Sequence, residues 1–134
     1  SYSGASFICD YAHHPREISA TVATAEKMCT GKLYTIFQPH TYSRTKLLME
    51  DFVRSLRVVP NLMIYKTYPA REYFDEEGSA LTLAKNVGNC LYSESIRELK
   101  TWLKNTVQAG DIVLFLGAGD IYYAAQHLLK ELNK

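Results

Sequence analysis

Apolar runs alternate along the chain with stretches of helical period, and five repeats of that alternation fill the 134 residues. Ser6 to Asp10 reads as a buried strand, with Cys9 a small apolar residue inside it. Pro15 suits the first turn of a helix, where its missing N–H costs nothing, and Ile18, Val22, Ala25 and Cys29 recur every three or four positions. Gly31 ends that helix and Leu33–Phe37 forms the next strand. Ser43 is placed to cap a second helix through Leu56, with Leu47, Leu48, Phe52 and Leu56 on its inner face. Leu62–Tyr65 is a third strand, followed by a polar and aromatic loop from Tyr68 to Gly78. Ser79 opens a short helix through Val87, and Cys90-Leu91-Tyr92 is a brief strand. Ile96, Leu99, Leu103 and Val107 mark a further helix, ended by Gly110. Asp111–Leu116 is the most apolar strand, and Ile121, Ala125, Leu128 and Leu132 give the last helix.

Strands that are apolar throughout, rather than alternating, belong in a parallel sheet covered on both faces. With right-handed crossovers the pattern predicts an α/β fold: a three-layer, Rossmann-like domain with a mostly parallel sheet of about five to six strands flanked by helices. Residues 1–134 read as a single domain, without repeat, low-complexity tract or interior linker. In such a sheet the strand carboxyl ends share one edge, where ligands bind. Three loops that directly follow strands carry unusual residues, and all three belong on that edge: Asp10-Tyr11-Ala12-His13-His14-Pro15, Gln38-Pro39-His40-Thr41-Tyr42-Ser43-Arg44 and Gly117-Ala118-Gly119-Asp120.

Composition narrows the function classes. A net charge of +1 with scattered Lys and Arg gives no basic field for nucleic acid. Three cysteines, odd in number and far apart, argue against a disulfide framework and for a reducing, cytoplasmic setting. No apolar stretch approaches the roughly 18 to 20 residues needed to span a bilayer, so no membrane partner is expected. The chain begins at Ser1 without an initiator methionine, as a processed protein or a domain excised from a longer one would.

Each loop has a chemical and a structural reading. Asp10 can accept from both hydroxyls of a ribose, or it can cap the helix that follows; His13 and His14 can donate, accept or bind a metal, or stand exposed. Adjacent residues in an extended segment point to opposite sides, so His13 is the one expected to face a ligand, with His14 holding the loop. Arg44 lies in the first turn of a helix, where a cation is unfavourable unless an anion is present. Beside free amide donors it is a candidate clamp for a carboxylate or phosphate, or else a solvated side chain. The glycines at 117 and 119 permit close backbone approach to a ligand, or simply make a tight turn. The dinucleotide fingerprint is incomplete, because Tyr122 stands where its third glycine would be. There is no Walker-type G-x-x-x-x-G-K-[ST] to cradle a triphosphate, no G-x-S-x-G elbow, and no further Asp or His cluster to complete a metal site. His127 on the last helix, Trp102 and most tyrosines read as core or surface residues.

Three blocks together, Asp10 to Ile18, Phe37 to Thr45 and Gly117 to Ile121, resemble the C-terminal domain of the Mur ligases of bacterial peptidoglycan synthesis, over essentially the whole chain. Gln38-Pro39-His40 with Ser43-Arg44-Thr45, and Tyr68-Pro69-Ala70-Arg71-Glu72, are similar to the alanine-adding branch in particular. The resemblance implies a three-domain enzyme that joins L-alanine to UDP-N-acetylmuramate through an acyl phosphate, giving ADP and phosphate. ATP and magnesium would be bound mainly by a central domain that is not in this sequence, so the chain alone is expected to be inactive. By the same resemblance Asp10 meets the ATP ribose, and Tyr11 and His13 line the pocket for alanine and the acyl phosphate. His40 and Arg44 meet alanine, with Arg44 on its carboxylate. Gly117, Ala118 and Gly119 border the pocket through their amides, and no metal ligand falls in this domain. One departure stands out: many members carry Arg where this chain has Thr41, which leaves Arg44 as the main charge. A stand-alone nucleotide-binding or regulatory module, the C-terminal domain of a sister ligase, and a metal-dependent hydrolase using Asp10, His13, His14 and His40 are the alternatives.

Overall fold

The computed structural model describes residues 1–134. Five strands form one sheet in the order β1-β5-β2-β3-β4: β1 Ser6–Asp10, β2 Leu33–Phe37, β3 Leu62–Tyr65, β4 Leu91–Ser93 and β5 Ile112–Leu116. Every neighbouring pair is parallel. The helices are α1 Pro15–Met28, α2 Tyr42–Leu47, α3 Met49–Leu56, α4 Ala80–Val87, α5 Ile96–Thr106 and α6 Ile121–Leu132.

The three strands in the middle of the sheet, β2, β3 and β5, are buried at every position, which explains sequences that are apolar at nearly every position, Thr35 of β2 being a polar exception. The chain moves one way across the sheet from β1 to β4 and then returns to place β5 between β1 and β2. Right-handed crossovers put opposite directions of travel on opposite faces. Accordingly Ile18 and Val22 of α1, Phe52 and Leu56 of α3 and Leu83 of α4 pack in one core. Leu99 and Leu103 of α5 and Ile121 and Leu128 of α6 pack in the other.

Two expectations change. The strand β1 lies at the sheet's edge, so it is only half-buried, and Cys9 is exposed. The single helix expected from Ser43 to Leu56 is two helices that meet at Leu48, a residue with φ −104° and ψ 19°. The break turns Leu47 outward, 81% exposed, while Phe52 and Leu56 keep the inner face.

Turn locks tie the opposite edge. Asp111, buried, accepts from Lys32 N–H and Gln108 N–H, each at 2.8 Å. A side chain at Gly31 would place its Cβ 2.4 Å from Asp111 Oδ1, so glycine is required for that approach.

Candidate functional site

Because β1, β5 and β2 are adjacent, the loops that follow them meet at the point where the direction of travel reverses. The sheet therefore gathers Asp10–Pro15, Gln38–Arg44 and Gly117–Asp120 on one edge, as their positions after strands predict.

The first loop is held from within. Asp10 Oδ1 accepts from Ala12 N–H at 2.9 Å and makes no bond to the helix start, leaving its second oxygen without an internal partner. His14 takes the helix-capping position: its Nδ1 accepts from Arg16 N–H at 3.3 Å. Glu17 reaches back to accept from His14 N–H at 3.0 Å and His13 N–H at 3.2 Å. Those amide bonds hold the Glu17 carboxyl below its ordinary range. The His13 ring is tied to the loop through Nδ1, 3.0 Å from Tyr11 O, and sits edge-on to the Tyr11 ring, 5.5 Å between centroids, and 6.1 Å from the ring of His40 in the second loop. Tyr11 itself projects outward, 71% exposed.

The second loop is the most constrained. Its buried Gln38 donates from Nε2 to Asp120 Oδ1 at 2.8 Å and to Lys66 O at 3.3 Å, and its Oε1 accepts from Ile121 N–H at 3.1 Å. One amide thereby joins the ends of β2 and β3 to the turn after β5. The His40 ring stacks on Tyr68, 5.4 Å between centroids, and Thr41 N–H donates to Tyr68 O at 2.8 Å. Burial, the neighbouring His13 and the Arg44 charge push the His40 imidazole below its ordinary pKa, against a smaller upward pull from Glu72. His40 is therefore neutral over a wider range than a free imidazole.

Thr41, not Ser43, caps α2: its Oγ1 accepts from Arg44 N–H at 3.4 Å. The amide donors expected to be free beside Arg44 are taken. Glu72 Oε1 accepts from Tyr42 N–H at 2.8 Å and Ser43 N–H at 3.0 Å, and the Ser43 hydroxyl bonds its other oxygen. Arg44 itself has no such partner. Its Nε is buried without a hydrogen bond, and no carboxylate pairs with its guanidinium.

The third loop has glycines for packing reasons. A Cβ on Gly119 would lie 2.4 Å from Tyr68 Cγ, and one on Gly117 2.9 Å from Ile121 Cγ2. Gly117 N–H donates to Asp10 O at 3.2 Å, so its amide is already used within the fold.

Gln38, Tyr68 and Glu72 are residues to which the sequence reading gave no role, although all three stand in segments similar to the alanine-adding branch, and Gln38 is a polar residue directly after a largely apolar strand. No group of three or more His, Cys, Asp or Glu side chains converges as a metal site would require.

A model of the Mur ligase C-terminal family, described as Mur ligase, glutamate ligase domain, matches residues 1–119. The chain belongs to the Mur ligase C-terminal domain family. It is 42% identical over 133 residues to UDP-N-acetylmuramate–L-alanine ligase of Alkaliphilus metalliredigens (strain QYMF), covering 96% of this chain and 28% of that protein. The protein of the same name from Clostridium tetani (strain Massachusetts / E88) is 42% identical over 127 residues, covering 90% and 27%. Among solved structures, UDP-N-acetylmuramate-alanine ligase MurC of Thermotoga maritima superposes with a TM-score of 0.68 at 26% identity, covering 98% of this chain and 27% of that one. This Mur ligase domain thus spans a little over a quarter of the length of the curated relatives it matches. No helix in it is long and apolar enough to cross a membrane.

Proposed function

We propose that residues 1–134 are the amino-acid-binding and closing domain of a larger ATP-dependent ligase that joins L-alanine to UDP-N-acetylmuramate. The observation that carries the reading is Arg44, a half-buried side chain whose Nε is buried without a hydrogen bond and whose guanidinium has no carboxylate partner, in the loop where three strand ends meet. Leaving a buried charged donor unpaired is costly, and an incoming carboxylate removes that cost. The names of the relatives point to alanine as the owner of that carboxylate.

The chain's own residues divide the work. Arg44 binds the carboxylate by charge-assisted hydrogen bonds. His40 and His13, on either side of the gap between the first two loops, orient the amine, and the neutral His40 ring can accept a proton from it. Tyr11, projecting from the same edge, covers the pocket when the domain closes and helps exclude water. Gly117, Ala118 and Gly119 form its floor.

Asp10 fits a ribose: one carboxylate oxygen holds the loop and the other stays open to hydroxyl donors. ATP supplies the phosphoryl group that activates the muramic carboxylate, and magnesium neutralises the phosphates. Both would be held mainly by the remainder of the protein, since this chain has no phosphate-cradling loop.

The test is an assay of the full-length protein with ATP, UDP-N-acetylmuramate and a panel of amino acids. Phosphate release that depends on L-alanine above glycine, L-serine and D-glutamate supports the reading. Preference for D-glutamate would assign the chain to a sister ligase, and no dependence on any amino acid would overturn the proposal.

A further inference from the structure

The loop between β3 and α4 lies strapped across the start of α2, and its attachments fall on the residues that flank Arg44. Tyr68 carries the His40 ring and receives the Thr41 N–H; the Glu72 carboxylate takes Tyr42 and Ser43; Lys46 of α2 lies 3.7 Å from Asp75 and 3.6 Å from Glu77. At the far end, Gly78 approaches so closely that a Cβ there would lie 2.0 Å from Tyr42 O. Beneath this strap the backbone is strained. Thr41 has φ +62° and ψ 155°, a region that is nearly exclusive to glycine and especially unfavourable for a β-branched residue. Such a conformation persists only where its surroundings over-determine it.

We infer that Glu72 is a positioning residue for amino-acid recognition: by holding the amides of Tyr42 and Ser43 from across the strap, it fixes the strained peptide that aims His40 and Arg44. The inference rests on the function proposed above. It also explains why Arg44 stays available. A carboxylate so close could pair with the guanidinium and block it, but Glu72 is saturated by the helix start. Hydrogen bonds from Ser43 and Tyr42 hold its carboxyl below the ordinary range, so it keeps its charge into mildly acidic solution. A substrate carboxylate is correspondingly denied those amides and directed to Arg44.

Glu72→Ala and Glu72→Gln in the full-length protein test this, with the amino acid that the wild type couples best as the varied substrate. Loss of a side-chain cap corresponds to about tenfold in an equilibrium constant. The expected result is a rise of that order in the KM for the amino acid with Glu72→Ala, a smaller one with Glu72→Gln, and a KM for ATP changed by less than about twofold. In the 134-residue chain, hydrogen exchange at the Tyr42 and Ser43 amides should quicken by about the same factor. The His40 titration adds a readout that lost packing alone would not give. His13, Arg44, Glu72 and the stacked Tyr68 face that ring, and removing only the Glu72 charge should move its pKa further down in Glu72→Gln. Unchanged exchange, an unchanged amino-acid KM, or equal rises for both substrates would overturn the inference. Coupling of an amino acid other than L-alanine by the wild type would overturn the functional reading alone, because the Glu72 comparison would then proceed with that substrate.

Discussion

Gln38 and Asp120 stand 82 positions apart in the chain and are joined by a 2.8 Å hydrogen bond between side chains. The same Gln38 amide accepts from the buried Ile121 N–H, so it both donates to and receives from the turn after β5. Its neighbours need an amide, with one donor end and one acceptor end. We expect Gln38→Leu to destabilise the chain by about 2 kcal/mol, because it strands a buried N–H. Gln38→Glu should be worse, since it sets a carboxylate against Asp120 in place of a donor. Urea unfolding of the two variants checks the order; a Glu variant as stable as wild type would remove Gln38 from this role.

Arg44 should separate stability from function. Arg44→Met fills a similar volume and removes the buried donor that has no partner, so the free chain should gain on the order of 1 kcal/mol. The full-length protein should lose amino-acid affinity, its KM rising by about tenfold or more while that for ATP stays close to wild type. A destabilised Met variant would show that the guanidinium is satisfied in the free domain after all.

Thr41→Gly should relieve the left-handed backbone at the head of α2. The strain is of order 1–3 kcal/mol. Against it stand a capping loss of a few tenths and a greater entropy of the unfolded chain. A net gain of about 1 kcal/mol in denaturant unfolding is expected from these terms. Loss of stability instead would mean that the threonine hydroxyl matters more than the backbone angle.

Acid should weaken the fold in two stages. The His40 pKa is depressed from its ordinary 6.5, so between the folded value and 6.5 the unfolded chain binds more protons and stability falls as pH falls. The Glu17 and Glu72 carboxyls are depressed from 4.5, so their contributions persist down to that pH and are lost below it. Unfolding midpoints measured from pH 8 to pH 3 should show a first decline beginning near 6.5 that His40→Gln abolishes. A midpoint that rises on acidification through 6.5 would contradict the direction given to His40.

Much of this architecture is legible in the order of residues, for reasons that can be located. Leu33–Phe37 and Ile112–Leu116 are apolar at almost every position because both faces of their strands are covered, and that alone calls for parallel pairing. A strand followed by Asp10-Tyr11-Ala12-His13-His14 or by Pro39-His40 announces an edge where chemistry can gather. Strand order is written nowhere in the sequence, so the exposure of Cys9 at the sheet edge could not be read from an apolar run. The break at Leu48 escaped because the leucines on either side keep helical spacing. Glu72 lies 30 residues beyond the Tyr42 amide it holds, inside a loop without periodicity, and only the folded chain brings them together.

The return of β5 to a place between β1 and β2 has a consequence for synthesis. A nascent chain emerging from its amino end can pair β2 with β3 and β3 with β4 as each appears, but β1 has no partner until β5 is complete. The first strand of this domain must wait for its last, holding an exposed edge while the residues between them are made, the interval in which unpaired strands are most prone to misassociate. Asp10, at the end of β1, therefore takes its place in the sheet only after residues 112–116 have been made. A product truncated before Ile112 would carry two of the three loops but lack the strand that joins β1 to β2 in the sheet.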